Sequence, residues 1–257
     1  MTPREKYIAF NAIFIREILR FYRIWVQTLL PPIITTALYF IIFGSLIGSQ
    51  VRGIHGVSYM SFIAPGLIML AVISNAYANV VSSFFSSKFQ RNIEEILVAP
   101  VPSYLIVIGY TAGGVARGVA VGIVVTLTAG FFGEILIYNI WVILSIFILA
   151  SILFSLAGLI NGILATKFDD VTIIPTFVLT PLTYLGGVFY SIDLLSNFWQ
   201  QLSLFNPILH IVNAFRYGFL GISDVNLVGA YGICITIIVL LYGVALYLMR
   251  KGHGIRT

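Results

Sequence analysis

The chain has 257 residues, 60% of them apolar and only 9% charged, with a formal net charge of +5 and a mean hydropathy of +1.04. A soluble domain carries about 25% charged side chains, so these residues cannot clothe a water-facing surface. The composition excludes a soluble single domain, a disordered chain and a nucleic-acid binder. It leaves an all-α polytopic membrane protein, because lipid admits only helices or closed barrels and the alternating strands of a barrel, about ten residues each, are missing.

At the start of the chain, Tyr7, Phe10, Phe14, Ile18 and Phe21 recur at three- and four-residue spacing, while Arg16, Arg20 and Arg23 gather on the opposite face. This pattern predicts an amphipathic helix over residues 1–23, lying along the membrane interface as an anchor or as a mechanical element. Arg and Lys continue to Arg23 before the first long apolar run, which therefore reads as an uncleaved anchor and not as a signal peptide. Six stretches then reach the ~20 residues that a crossing helix needs. They are Ile24–Val51, Gly53–Ser87, Ile96–Gly133 (interrupted only by Arg117), Ile135–Thr166, Val171–Ile192 and Val225–Met249. Leu194–Phe215 is also uncharged, but Asn197, Gln200, Gln201, Asn206, His210 and Asn213 make it too polar to face lipid. It reads as an interfacial or re-entrant segment, tolerated only where protein or water covers its backbone.

Six spans put both termini on one side of the membrane. That side then holds eleven basic residues: Arg4, Lys6, Arg16, Arg20, Arg23, Lys88, Arg91, Lys167, Arg250, Lys251 and Arg256. The other side holds Arg52 and Arg216. By the positive-inside rule both termini are cytoplasmic.

Within the membrane, Gly114, Gly118 and Gly122 form two consecutive GxxxG steps in the third span, and Gly44/Gly48 and Gly158/Gly162 repeat the spacing elsewhere. Such rows let helices approach closely, within the chain or between copies. Arg117 sits deep in the third span and needs a partner, a cavity or backbone carbonyls, unless it snorkels to an interface. Asn75 and Asn79, one turn apart in the second span, and Asn161 in the fourth have the chemistry of interhelix hydrogen bonding. Arg117, Asn75 and Asn79 are the candidates for a translocation path or a dimer interface. Pro175, Pro181 and the Gly186–Gly187 pair predict a broken fifth span.

The nine carboxylates, Glu5, Glu17, Glu94, Glu95, Glu134, Asp169, Asp170, Asp193 and Asp224, all fall at or beyond span ends. No acidic relay crosses the bilayer, as a proton- or sodium-driven carrier requires. His55, His210 and His253 are scattered, and the lone Cys234 excludes an intramolecular disulfide and a cysteine metal site. There is no GxxxxGK[ST] phosphate loop. The chain is not expected to be an enzyme or to carry a cofactor, so the energy for any active transport comes from another subunit. A channel, a carrier or a membrane assembly factor are the alternatives.

Between the second and third spans, Lys88, Arg91, Glu94 and Glu95 have the spacing of one short helix face, which Pro100 and Pro102 end. This is either a solvated loop or a docking helix that receives force from a partner.

Here the sequence resembles the ABC-2 type transport permeases, and within them the YadH-type permeases of bacterial inner membranes. The resemblance is carried by FQRNIEEILVAPVP at residues 89–102 and by Leu179–Arg216, with its small-residue run around Gly186, the Pro207-Ile208-Leu209-His210 sequence and Arg216. It covers essentially the whole chain, 1–257, as one transmembrane domain. It implies a homodimer that exports a lipid-, glycan- or drug-like substrate, served by two copies of a separate ATPase subunit that binds ATP and Mg²⁺. It implies that residues 84–103, with Lys88, Arg91, Glu94, Glu95 and Pro100, are the loop coupled to that ATPase. It implies further that residues 1–23 are an interface helix and residues 191–224 an external re-entrant hairpin.

Overall fold

The structure, a computed structural model, describes residues 1–44, 56–252 and 254. Among these residues every regular element is helical. The expected extension of the first span to Val51, the start of the second at Gly53, and the residues Gly48, Arg52, His55, His253 and Arg256 lie outside the described residues.

Among the described residues, five helices are long and apolar enough to cross a membrane. These are α2 (Trp25–Ile42), α3 (Tyr59–Phe89), α5 (Ser103–Gly130), α6 (Ile140–Leu164) and α11 (Leu227–Lys251). Before them α1 (Pro3–Arg23) starts with a capping box, in which the Thr2 hydroxyl accepts from the Glu5 amide and the Glu5 carboxylate accepts from the Thr2 amide. Between α3 and α5 stands the short α4 (Ile93–Val98), which stops ahead of Pro100 and Pro102.

α3 is the central post. It packs along α5, α6 and α10 (Pro207–Leu220), and its Phe62, Ile63, Ile68, Met69, Val72 and Ala76 are sealed from the surface. The glycine rows account for this closeness. A β-carbon added at Gly118 would come within 2.9 Å of Ser151 Oγ and 3.1 Å of Ala76 Cβ, and one at Gly158 within 2.5 Å of the Tyr77 carbonyl oxygen. The GxxxG face of α5 is thus occupied by α3 and α6 of the same chain.

The expected fifth span, Val171–Ile192, is not one helix. α7 (Phe168–Ile174) runs into a π turn at Pro175–Leu179 and then α8 (Thr180–Tyr184). Pro181 has no N–H to offer the ladder and its ring crowds the preceding turn, so a single widened turn absorbs the mismatch. The Thr180 amide and hydroxyl both reach back to the Pro175 carbonyl, the hydroxyl at 2.9 Å. From residue 168 to residue 184 the pieces span about 26 Å at 1.5 Å per residue.

The polar stretch that follows forms α9 (Asn197–Leu204) and α10, preceded by a 3₁₀ turn at Ile192–Leu194. α10 is covered by α3, α6 and α11, which is how its backbone and polar side chains avoid lipid. Arg216 is its anchor. Fully buried, it donates to the carbonyls of Gly187 (2.6 Å) and Phe62 (3.3 Å) and to Asn213 Oδ1 (3.1 Å), and its guanidinium lies 3.9 Å from the centroid of the Phe62 ring. Gly187 turns its carbonyl toward this arginine at a φ of +66°, a conformation that favours glycine.

Candidate functional site

The loop singled out in the sequence is an elbow made of two pieces. Lys88 belongs to the last turn of α3, Arg91 sits in the turn after it, and Glu94 and Glu95 open α4, so the four do not share one helix face. Arg91 is the one non-glycine residue with positive φ (61°) among the described residues; it reverses the chain so that α4 folds back under α3. Six residues cannot hold a helix alone. α4 is fixed by Ile93, which is buried in a cluster with Phe84, Ile106 and Tyr110. Glu94, Glu95, Val98 and Pro100 stay exposed. The elbow thus presents two carboxylates, an aliphatic side chain and a proline on one projection.

Lys88 does different work. Its ammonium donates to the carbonyls of Ile163 (2.9 Å) and Ala165 (2.6 Å), the unsatisfied end of α6. Phe168 stands edge-on to Phe85 and Phe89, with ring centroids 5.0 and 4.8 Å away. The turn between α6 and α7 is closed by Asp170, whose carboxylate accepts from the amides of Thr166 (2.8 Å) and Lys167 (3.0 Å) and from the Thr166 hydroxyl (2.8 Å). Those hydrogen bonds, the Thr166 amide foremost, hold the Asp170 carboxyl below the usual carboxylate range. The ends of α3 and α6 and the start of α7 are therefore one braced unit beside the elbow.

The second part of the site lies where α1 meets α3 and α5. Of the three arginines that share a face of α1, Arg16 and Arg20 reach acceptors on α5 and α3 with Glu17 beside them, while Arg23 is exposed, as are Tyr7, Ile15, Leu19 and Tyr22. Glu17 is fully buried and seated on Gly113 of α5, where an added β-carbon would come within 2.5 Å of Glu17 Cβ. Its Oε1 accepts from the Ser83 hydroxyl at 2.6 Å. Its Oε2 lies 3.6 Å from Arg20 Nε, and Oε1 lies 3.5 Å from Arg16 Nη2. Arg20 donates to Asn79 Oδ1 (2.6 Å) and to the Asn79 carbonyl (2.8 Å). Arg16 donates to the Tyr110 hydroxyl (2.5 Å), which in turn donates to Ser87 (3.3 Å). Burial depresses the Arg20 pKa from its ordinary value, and Glu17 opposes that shift.

Of the three intramembrane candidates, Asn79 is committed to this clasp. Arg117 donates to Asn75 Oδ1 at 3.2 Å, joining α5 to α3, and Asn75 donates to the Ala71 carbonyl at 3.0 Å. Asn161 binds the Tyr77 hydroxyl at 2.7 Å, an α6–α3 contact. Glu17 is not among the site residues expected from the sequence, where it stands only as a carboxylate outside the spans. Its signal was its place between Arg16 and Arg20, the latter three residues on along the same helix face.

A family model described as ABC-2 type transporter matches residues 8–220. The chain belongs to the ABC-2 type transporter family. The inner membrane transport permease YadH of Escherichia coli K12 is 58% identical over 252 residues, 98% of either chain. Nodulation protein J of Rhizobium leguminosarum bv. viciae is 24% identical over 93% of both chains, and that of Rhizobium meliloti 24% over 82% of this chain and 80% of the relative. The match to the ABC-2 family takes in most of α1, the elbow and α10. It agrees with an all-helical polytopic membrane protein that acts in transport.

Proposed function

We propose that this chain is the permease subunit of an ATP-binding-cassette exporter of the bacterial inner membrane. Two copies form a homodimer and bind two copies of a separate ATPase, which holds ATP and Mg²⁺. The observation that carries the reading is the elbow, whose exposed Glu94, Glu95, Val98 and Pro100 project from a base braced by Lys88 and Phe168. A helix that is short, held by Ile93 and Ile96 and otherwise presenting Glu94, Glu95 and Val98 outward is fitted to sit in a partner's groove. Closure of the ATPase pair on ATP pushes on the elbow and on α1, and the two permease protomers rock against each other. Both termini are cytoplasmic, the broken helix from Val171 to Tyr184 is the sixth crossing, and α9–α10 is a hairpin that re-enters from the outer side. Asn75 and Arg117 lie on the path side of the bundle, and the cargo is amphipathic.

The test is a pull-down joined to an ATPase assay. The chain is purified in nanodiscs with candidate cassette ATPase subunits, as wild type and as the Glu94→Ala/Glu95→Ala double variant. The wild type is expected to bind the ATPase and change its turnover, and the double variant to lose both effects. If no cassette subunit binds the wild type, the reading fails and a channel or assembly role takes its place.

A further inference from the structure

The cluster where α1 meets α3 and α5 carries more positive charge than it neutralises. Among the described residues, Arg16 and Arg20 form their ion pairs with the same carboxylate, Glu17, at 3.5 and 3.6 Å. Arg117 adds a third guanidinium. The register of α1 on α5, with Ile13 on Gly109 and Glu17 on Gly113, brings the next turn of α1 and its Arg20 level with Arg117. Arg20 is held on α3 by Asn79, and Arg117 by Asn75. Those two amides are one turn apart, about 6 Å at 1.5 Å per residue, and the two cations are close enough to repel each other. Glu17 offsets one charge of the three, and its Oε1 is already bound to Ser83.

The donors show the same excess. Asn79 Nδ2, Arg20 Nε and Arg117 Nε are buried and hydrogen-bond to no acceptor of the described chain. The Asn79 amide cannot be turned round to cure this, because Arg20 has only donors and must meet Oδ1. Buried donors without an acceptor are rare, and each needs a physical reason such as a bound water or ion. Here three of them, one each from α1, α3 and α5, accompany uncompensated positive charge. That combination suits an anion better than a water.

The place of the cluster narrows the anion. α2, the first helix long and apolar enough to cross a membrane, begins at Trp25. Arg20 precedes it by no more than about 8 Å of helix, which matches the roughly 5–8 Å of headgroup layer on either side of a bilayer core. Arg20 and the exposed Arg23 thus stand at the depth of lipid phosphates. The Arg16 and Arg20 side chains are 41% and 31% exposed, so the cluster is open to that layer. Guanidinium forks pair with phosphate oxygens through parallel N–H donors, and a tetrahedral oxyanion offers oxygens to more than one fork.

We propose that Arg20, Arg117 and Asn79 form a site for a phosphate-type oxyanion, which ties α1 to α3 and α5 as a ligand of the helix seat and not as a transported group.

The experiment uses the full chain in dodecyl maltoside, which carries no phosphate, with no ATPase present. Amide hydrogen exchange across α1 is measured with added phosphatidylglycerol, with a diacylglycerol of the same chains, and with inorganic phosphate against chloride at equal ionic strength. Phosphatidylglycerol or inorganic phosphate is expected to slow α1 exchange saturably and at least tenfold, and diacylglycerol and chloride to leave it unchanged. Protection by inorganic phosphate points to a free anion, and protection by phosphatidylglycerol alone to a lipid headgroup; either supports the proposal. Arg117→Gln touches Asn75 and not α1, so it should leave the basal α1 exchange within threefold while weakening the affinity for the phosphate species at least tenfold. Arg117→Lys should recover part of that loss, and Arg4→Gln/Arg250→Gln, which removes two exposed charges elsewhere, should keep the full affinity. Protection by neither phosphate species overturns the proposal, as does equal protection by diacylglycerol. So does unchanged affinity in an Arg117→Gln protein whose Cys234 stays as unreactive as in the wild type, or an equal loss in Arg4→Gln/Arg250→Gln, because the attraction is then diffuse.

Discussion

Glu17→Ala tests whether the buried cluster is what seats α1. The substitution leaves the Ser83 hydroxyl without its 2.6 Å acceptor and removes the carboxylate that lies 3.6 Å from Arg20 Nε. Breaking a fully buried ion pair costs about 3–5 kcal/mol. The Arg20 side chain is 31% exposed and keeps its two hydrogen bonds to Asn79, so only part of that penalty applies. Adding about 1 kcal/mol for the orphaned hydroxyl gives roughly 2–3 kcal/mol in all. That loss falls on the docking of α1 and not on the bundle, whose centre is α3 packed between α5, α6 and α10.

The readout is therefore local. Amide hydrogen exchange across α1 reports its opening equilibrium, and at tenfold per 1.4 kcal/mol the exchange should accelerate roughly 30- to 150-fold. Exchange in the middle of α3 should stay unchanged, and Cys234, buried in α11, should remain unreactive toward maleimide. Glu17→Gln retains an acceptor for Ser83 but no charge, and should fall between the two. A double-mutant cycle with Arg20→Ala should return a coupling of about 1 kcal/mol or more. If Glu17→Ala changes α1 exchange by less than threefold, the cluster does not hold the helix and its seating is due to apolar packing such as Ile13 on Gly109.

Three further outcomes are expected. Lys88→Met strips the carbonyls of Ile163 and Ala165 of their donor, close enough to water to limit the cost to about 1 kcal/mol, and hydrogen exchange should rise at the end of α6 while the middle of that helix is unaffected. Arg91→Gly removes a side chain from a φ of 61° and should stabilise the chain by about 0.5–1 kcal/mol, raising the midpoint of thermal Cys234 labelling by about 1–4 °C. A lower midpoint would show that the Arg91 side chain contributes more than its backbone costs. Asp170 carries a folded pKa below its unfolded value, so its contribution is complete above the ordinary carboxylate pKa of about 4 and is lost as pH falls through the folded value. Exchange at the Thr166 and Lys167 amides should thus be flat between pH 8 and pH 5 after correction for intrinsic rates, and Asp170→Asn should raise it across that whole range.

The long helices were legible because lipid imposes one rule on every residue of a span, and a charge-free run of the right length is visible one position at a time. Pro100 and Pro102 marked the stop of α4, and Pro175 and Pro181 marked the broken helix, because proline acts through its own backbone. The polarity of Leu194–Phe215 was readable in part: α10, with His210, Asn213 and Arg216, is covered by three other helices, while Asn197 and Gln201 of α9 are exposed. What stayed hidden were the partners. Arg16 meets Tyr110 across 94 positions and Arg20 meets Asn79 across 59. No periodicity within α1 distinguishes an arginine that faces water from one that faces a distant acceptor. The hydrophobic pattern of α1 does not by itself mark its buried face: Phe10, Phe14, Ile18 and Phe21 are half-buried, as Arg16 and Arg20 are, and the sealed residues, Ile13 and Glu17, lie between the two rows.

The elbow and the buried cluster of α1 are mechanically one. The last three turns of α3 carry Asn79 and Ser83, which grip α1, and Lys88, which grips the end of α6. The elbow hangs from the same helix through Arg91, and Ile93 of α4 packs in the cluster that contains Ile13 of α1 and Tyr110 of α5. A continuous α-helix transmits displacement along its axis without a hinge, and interhelix contacts as close as Glu17 on Gly113 leave no slack to absorb it. A push on α4 is thus delivered to α1, α5 and α6 together, and Glu17→Ala, which frees α1 alone, should disconnect one of those three while leaving the elbow itself intact.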